Sequence, residues 1–227
     1  MRIKMQWMGV AAAAVLSVVG SGAASAQSRN DWTGIYVGAN AGGSANHAHW
    51  SYFNNPGQTV TRDFGAFAYG MQAGAQLQMG QVVLGAEFGL SGYKGDSTGP
   101  DSPLFAPRFN TEAQTKSVLT IGPRLGWAFN NWMIYGTGGY ARVNTETAFV
   151  QIAGPNEDRR TASADGWFAG GGVEWAVSRN WILGFEYRHI EAEKKLSGPA
   201  IPVTDVSRYV DASIDEFKAR LSFKLGN

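Results

Sequence analysis

The residue types in this chain that could do chemistry are few, and their spacing tests each one. Gly136-Thr137-Gly138-Gly139-Tyr140-Ala141 fits a G-x-G-x-x-A phosphate-binding fingerprint. Such a fingerprint must open a helix, so that amide groups at the helix start meet the phosphates. Arg142-Val143-Asn144-Thr145-Glu146-Thr147 follows instead, with no apolar 3.6-residue period. The segment reads as a Gly-rich strand. His47-x-His49 supplies two imidazoles in a polar stretch without a carboxylate or third His beside them, short of the three or four ligands a metal needs. Glu157-Asp158-Arg159-Arg160 is a mixed charge run that reads as solvated. No serine has a base partner in sight, and His189 stands alone near a strand end. No catalytic, cofactor-binding or metal-binding residue is nominated, and no cofactor is implied.

A different set of charges recurs with regularity. Glu87, Arg124, Glu174, Glu186, Arg188, Lys218 and Arg220 each sit in a segment where apolar and polar or glycine residues alternate. The last such segment is the plainest. Phe217, Ala219, Leu221, Phe223 and Leu225 interleave with Lys218, Arg220, Ser222 and Lys224, the period-2 pattern of a two-faced strand. Similar runs lie at 33–42, 66–78, 82–91, up to Phe129, 132–145, 167–177 and 181–190. In the Gly-rich run at 132–145, Met133, Tyr135, Thr137, Gly139, Ala141 and Val143 are the preferred outer set.

Pro123 interrupts the fourth run and predicts a bulge there. Short turns at Met79-Gly80, Asn130-Asn131 and Ser178-Arg179-Asn180 alternate with long polar stretches at about 43–63, 94–114, 146–162 and 191–213. Eight strands joined in this order predict an all-β, eight-stranded antiparallel up-and-down barrel whose last strand closes on its first.

Composition separates a membrane barrel from a soluble one. Of 227 residues, 30 are glycine and 12% aromatic, and only 16% are charged, against roughly 25% in ordinary soluble domains. The apolar faces of the eight runs carry no Asp, Glu, Lys or Arg. Glycine crowds the polar faces, where a solvated surface would gain nothing from it and a narrow barrel interior needs it. Trp32, Trp127, Phe129, Trp132, Trp175 and Trp181 flank the first strand or a short turn, which predicts an aromatic girdle at one membrane interface. Trp167 and Tyr69 serve the opposite rim. A soluble, ligand-binding barrel is the alternative. The seven charges then point inward, as a water-containing conduit or as a plug that fixes the core; the narrowness of eight strands favours the plug.

Arg2 and Lys4, an apolar run from Gly9 to Gly20 and Ala24-Ser25-Ala26 form a signal peptide over 1–26, leaving 27–227 as the exported barrel domain. No cysteine is present, so disulfides and thiolate metal sites are excluded, and a net charge of +1 implies no nucleic-acid partner.

Trp32-Thr33-Gly34-Ile35-Tyr36-Val37-Gly38-Ala39-Asn40-Ala41-Gly42 resembles the opening strand of the small alphaproteobacterial outer-membrane β-barrel proteins. These are the porin-family or opacity-protein-like barrels, similar in plan to the OmpA transmembrane domain. Leu84-Gly85-Ala86-Glu87, Tyr135 to Ala141 and Phe185-Glu186-Tyr187-Arg188 resemble that family's third, fifth and seventh strands. The resemblance implies a barrel in the outer membrane of a Gram-negative bacterium, with short periplasmic turns, long extracellular loops and a periplasmic N-terminus. It implies a structural or surface role contributing to envelope integrity, with a small porin for hydrophilic solutes as the alternative. Its partners would be outer-membrane lipid, the barrel-assembly machinery during biogenesis, and host or surface ligands met by the loops, with the barrel itself a monomer. The end of the chain is similar to the signal that the assembly machinery reads, in Lys218, Phe223 and Leu225. It departs from it in Arg220, where glycine is usual, and in Leu225, where an aromatic is usual.

Overall fold

The computed structural model describes residues 31–52, 55–95, 97–100, 109–151, 157–197 and 208–225, so the expected signal peptide lies outside the described residues. The elements are β1 (Gly34–Tyr52), β2 (Asn55–Met79), β3 (Val82–Lys94), β4 (Ser97–Pro100), β5 (Phe109–Phe129), β6 (Trp132–Gln151), β7 (Glu157–Ala176), β8 (Trp181–Ser197) and β9 (Arg208–Leu225). Eight are long. The four-residue β4 pairs with β5 beyond the point where β3 leaves it. Each long strand pairs antiparallel with its sequence neighbour, and β9 pairs with β1 from Ile35↔Leu225 to Tyr52↔Arg208. The sheet is therefore a closed barrel in which no long strand keeps a free edge, the only β arrangement that satisfies every backbone group in hydrocarbon.

The strands outrun their predicted ends. β1 and β2 stay paired as far as Tyr52↔Asn55, across most of a stretch expected to be loop. Beyond an apolar band both faces of a strand can be polar. Hydropathy alternation then fades while the hydrogen-bond ladder continues, because it satisfies backbone groups whatever the side chains are.

Two expectations about local geometry are corrected. The facing of β6 is the reverse of the one preferred from sequence. Met133, Tyr135, Ala141 and Val143 are buried inside, whereas Trp132, Ile134 and Tyr140 are exposed outside. Gly136, Gly138 and Gly139 remove the contrast in side-chain polarity that would otherwise mark the two faces. Nor does Pro123 sit in a bulge, for the β5–β6 register is the same on both sides of it, and the irregularity falls between Thr115 and Ser117. Pro123 and Gly122 pair with Ala86 and Glu87 of β3 but have no partner in the β6 ladder, and the Thr137 hydroxyl donates to the Pro123 carbonyl at 3.0 Å. Here the strands come very close: a Cβ on Gly122 would stand 2.0 Å from the Gly138 carbonyl oxygen, so only glycine fits.

The interior is filled in three layers, as expected of a ring of eight strands. At the turn end, Val83, Ala128, Met133, Tyr135, Ala176 and Ile182 pack around Trp32. At the loop end, a second apolar cluster includes Tyr93, Val118, Val143, Phe168, Ile190 and Ile214. Between them lies a layer of charge. Trp32 thereby departs from the girdle role expected of it. It is 0% exposed, and its backbone amide donates to Gln78 Oε1 at 2.9 Å. It precedes the first hydrogen-bonded residue of β1, so it escapes the strand's alternation and folds under the barrel mouth.

Candidate functional site: the charge layer in the barrel

Alternation on five strands sends Glu87 (β3), Arg124 (β5), Glu174 (β7), Glu186 and Arg188 (β8), and Lys218 and Arg220 (β9) to the barrel axis, where all seven are buried. Arg220 is the hub. Its guanidinium bonds Glu186, bonds Glu87 through both terminal nitrogens, one of them at 3.0 Å, and lies 3.7 Å from Glu174 through Nε. Arg124 pairs with Glu174 at 2.6 Å and lies 3.7 Å from Glu87. Arg188 pairs with Glu186 at 2.8 Å and Glu87 at 3.4 Å, and donates to the Thr120 hydroxyl at 2.8 Å. Three arginines thus face three glutamates. Lys218 sits apart from this hub, 2.6 Å from Glu216, whose other oxygen accepts from the Tyr93 hydroxyl.

Neutral donors complete the network. The Tyr36 hydroxyl donates to Glu87 at 2.7 Å and accepts from Arg124 at 3.1 Å. Tyr135 donates to Glu186 at 2.8 Å, and Arg124 Cζ stands over its ring, 3.6 Å from the centroid. Arg188 covers the ring of Phe168 at 4.7 Å, tying the charge layer to the apolar cluster above it. A buried ion costs several kcal/mol in lost hydration unless it is paired and hydrogen-bonded. The layer meets that demand by equal charge and by aromatic hydroxyls.

Sequence reasoning missed Tyr36, Tyr93, Tyr135 and Glu216. Glu216 shares the parity of Lys218 and Arg220 and could have been found by extending the last alternating segment by one residue. Tyr135 was lost to the inverted facing of β6. Tyr36 lies on the inner face of β1 among glycines, and an uncharged aromatic there gives no sign in the sequence of a role in the charge layer.

The outer surface has two aromatic levels. Trp127, Phe129, Trp132, Trp175 and Trp181 stand outward at the turn end, each 40–49% exposed. Trp132 stacks on Trp175 at 5.7 Å, and Trp181 meets Phe223 edge-on at 5.0 Å. Tyr69, Tyr140, Trp167 and Tyr187 form the level at the loop end, with Tyr187 against Phe217 at 4.8 Å. Outward positions between the levels carry no Asp, Glu, Lys or Arg. From Phe217 to Leu225 this band has the length of one tilted membrane-crossing strand, about 9–11 residues. Outward charges resume past the second level, where His189 meets Asp215 at 2.9 Å and His47 meets Asp63 at 2.9 Å. In β9, Phe223 and Leu225 face outward and Lys218 inward.

A family profile described as "Outer membrane protein beta-barrel domain" matches residues 12–223. The 31 kDa outer-membrane immunogenic protein of Brucella melitensis biotype 1 is 33% identical over 177 residues, which cover 72% of this chain and 72% of that one. The 22 kDa outer membrane protein of Rhizobium leguminosarum bv. viciae is 27% identical over 150 residues, covering 63% of this chain and 64% of the relative. Among solved structures, the outer membrane protease OmpT of Escherichia coli aligns over 85% of this chain and 97% of its own. Its TM-score is 0.53 at 9% identity, a likeness of fold alone.

Proposed function

From the premise that this chain belongs to the outer membrane protein β-barrel family and resides in the outer membrane of a Gram-negative bacterium, we propose that its role is structural. It acts as a surface-exposed element of the envelope, neither an enzyme nor an open pore. One observation carries this reading: the charge layer is compensated three against three and lies between two apolar clusters that fill the barrel on either side. An ion crossing the lumen would have to displace Trp32, break paired arginines and pass Phe168 and Tyr93. Electrostatic binding strong enough to hold such a layer shut is the opposite of what conduction needs, since a permeant ion must also leave.

The paired extensions of β1, β2 and β5–β9 above the loop-end aromatics offer the surface for contacts outside the cell. The barrel itself works as a monomer. Its β9 residues Lys218, Phe223 and Leu225 serve as the sequence that the barrel-assembly machinery engages. Planar-bilayer recording on the purified barrel tests the central claim. No reproducible steps are expected. Steps that vanish when Arg124 is neutralised would overturn it in favour of a small porin for hydrophilic solutes.

A further inference from the structure

The lipid-facing band is not smooth. Along β1 the outward residues past Ile35 are Val37, Ala39, Ala41 and Gly43, none larger than Val, while the flanking strands put larger side chains beside them. The result is an apolar groove of about 530 Å³ on the outside of the barrel. Val37, Ala39 and Ala73 form its floor; Trp181 and Phe223 stand on one side and Met71 on the other. The groove belongs to the surface that meets the bilayer, so hydrocarbon is the medium that fills it. An unfilled recess forfeits the dispersion contacts of every atom that lines it.

The groove also has a charged mouth. Trp181 opens β8 directly after the turn Ser178-Arg179-Asn180, and Arg179 is exposed. The other two periplasmic turns, at Met79-Gly80-Gln81 and Asn130-Asn131, carry no charge. Lys224, at the same end, is buried and donates to the Asp31 carbonyl. Arg179 is therefore the exposed cation of this rim among the described residues, and it lies two residues, about 7 Å of chain, from the groove wall. A guanidinium forks naturally onto a phosphate diester.

The geometry points to a bound glycerophospholipid of the periplasmic leaflet, one acyl chain in the β9–β1–β2 groove and its phosphate on Arg179. Seated there, the lipid covers the seam where the first and last strands meet. Native mass spectrometry tests this, with the barrel released in mild detergent from vesicles of phosphatidylethanolamine and phosphatidylglycerol. The wild-type barrel is expected to retain one phospholipid. Filling the groove (Ala39→Leu with Ala73→Leu) and removing the charge (Arg179→Gln) are each expected to lower that retention at least fivefold, and Arg179→Lys to keep most of it. All substituted positions face lipid or solvent, and heat-modifiable gel mobility checks that each variant is folded. Wild-type barrel free of lipid, a wild-type dimer in place of the lipid adduct, or undiminished retention in either the groove or the charge variant would overturn the assignment.

Discussion

Replacing Arg220 by Met removes one charge from the centre of the barrel at nearly constant volume. Its cost follows from the contacts left behind. Glu87 keeps Tyr36 at 2.7 Å and Arg188 at 3.4 Å, Glu186 keeps Arg188 and Tyr135 at 2.8 Å each, and Glu174 keeps Arg124 at 2.6 Å. No carboxylate is orphaned, but three now share two arginines, and one negative charge in the layer is uncompensated. Breaking a buried ion pair from one side costs about 3–5 kcal/mol. The second substitution Glu87→Gln restores neutrality and still accepts from Tyr36, so the double variant should recover roughly 2 kcal/mol of that loss through coupling. Urea unfolding in lipid vesicles, read by tryptophan fluorescence and by heat-modifiable gel mobility, measures both quantities. A loss below about 1 kcal/mol for Arg220→Met, or strictly additive losses in the double variant, would refute the view that the charges act as one compensated unit.

Three further outcomes are expected. Phe185→Arg puts a charge on the lipid face at the height of Arg220, and should cost about 2–4 kcal/mol in the same unfolding assay. Trp32→Ala should cost about 3–5 kcal/mol for the lost buried indole, yet leave bilayer recordings silent, because the loop-end apolar cluster still fills the barrel. Leu225→Asp should reduce the folded, heat-modifiable fraction in isolated outer membranes more than deletion of Gly226 and Asn227; equal damage would show that the assembly signal includes the final residues.

What could be read from the sequence was whatever repeats with period 2 against a polarity contrast. Phe217 to Leu225 shows this best, with each side chain's facing and the closure onto β1 both following from the alternation. Parity alone also brought Glu87, Arg124, Glu174, Glu186, Arg188 and Arg220 toward one axis, although their partners are far apart in the chain. Where glycine replaces the polarity contrast, as in β6, the facing had to come from its neighbours: Trp132 lies opposite Trp175, whose outward direction is plain from Val173 and Val177. Trp32 was misplaced for another reason. Its residue type suits an interface, but a residue ahead of the first ladder pair obeys no alternation, and a buried cavity mouth competes successfully for an indole. The ends of the strands above the membrane were hidden because backbone pairing there leaves no hydropathy signature.

The pairing of β1 with β9 also has a bearing on when this molecule can fold. Lys224 reaches back to Asp31 across 193 residues of chain, and the ladder beside it cannot begin until both terminal strands are present. Contacts of such separation make folding slow, since the loop must lose its freedom before the contact repays it. Until that ladder forms, a barrel of this topology keeps strand edges unpaired and lipid-facing residues bare, a state prone to aggregate. Closing the seam between β1 and β9 is the step that ends that exposure, and it draws on both ends of the barrel at once.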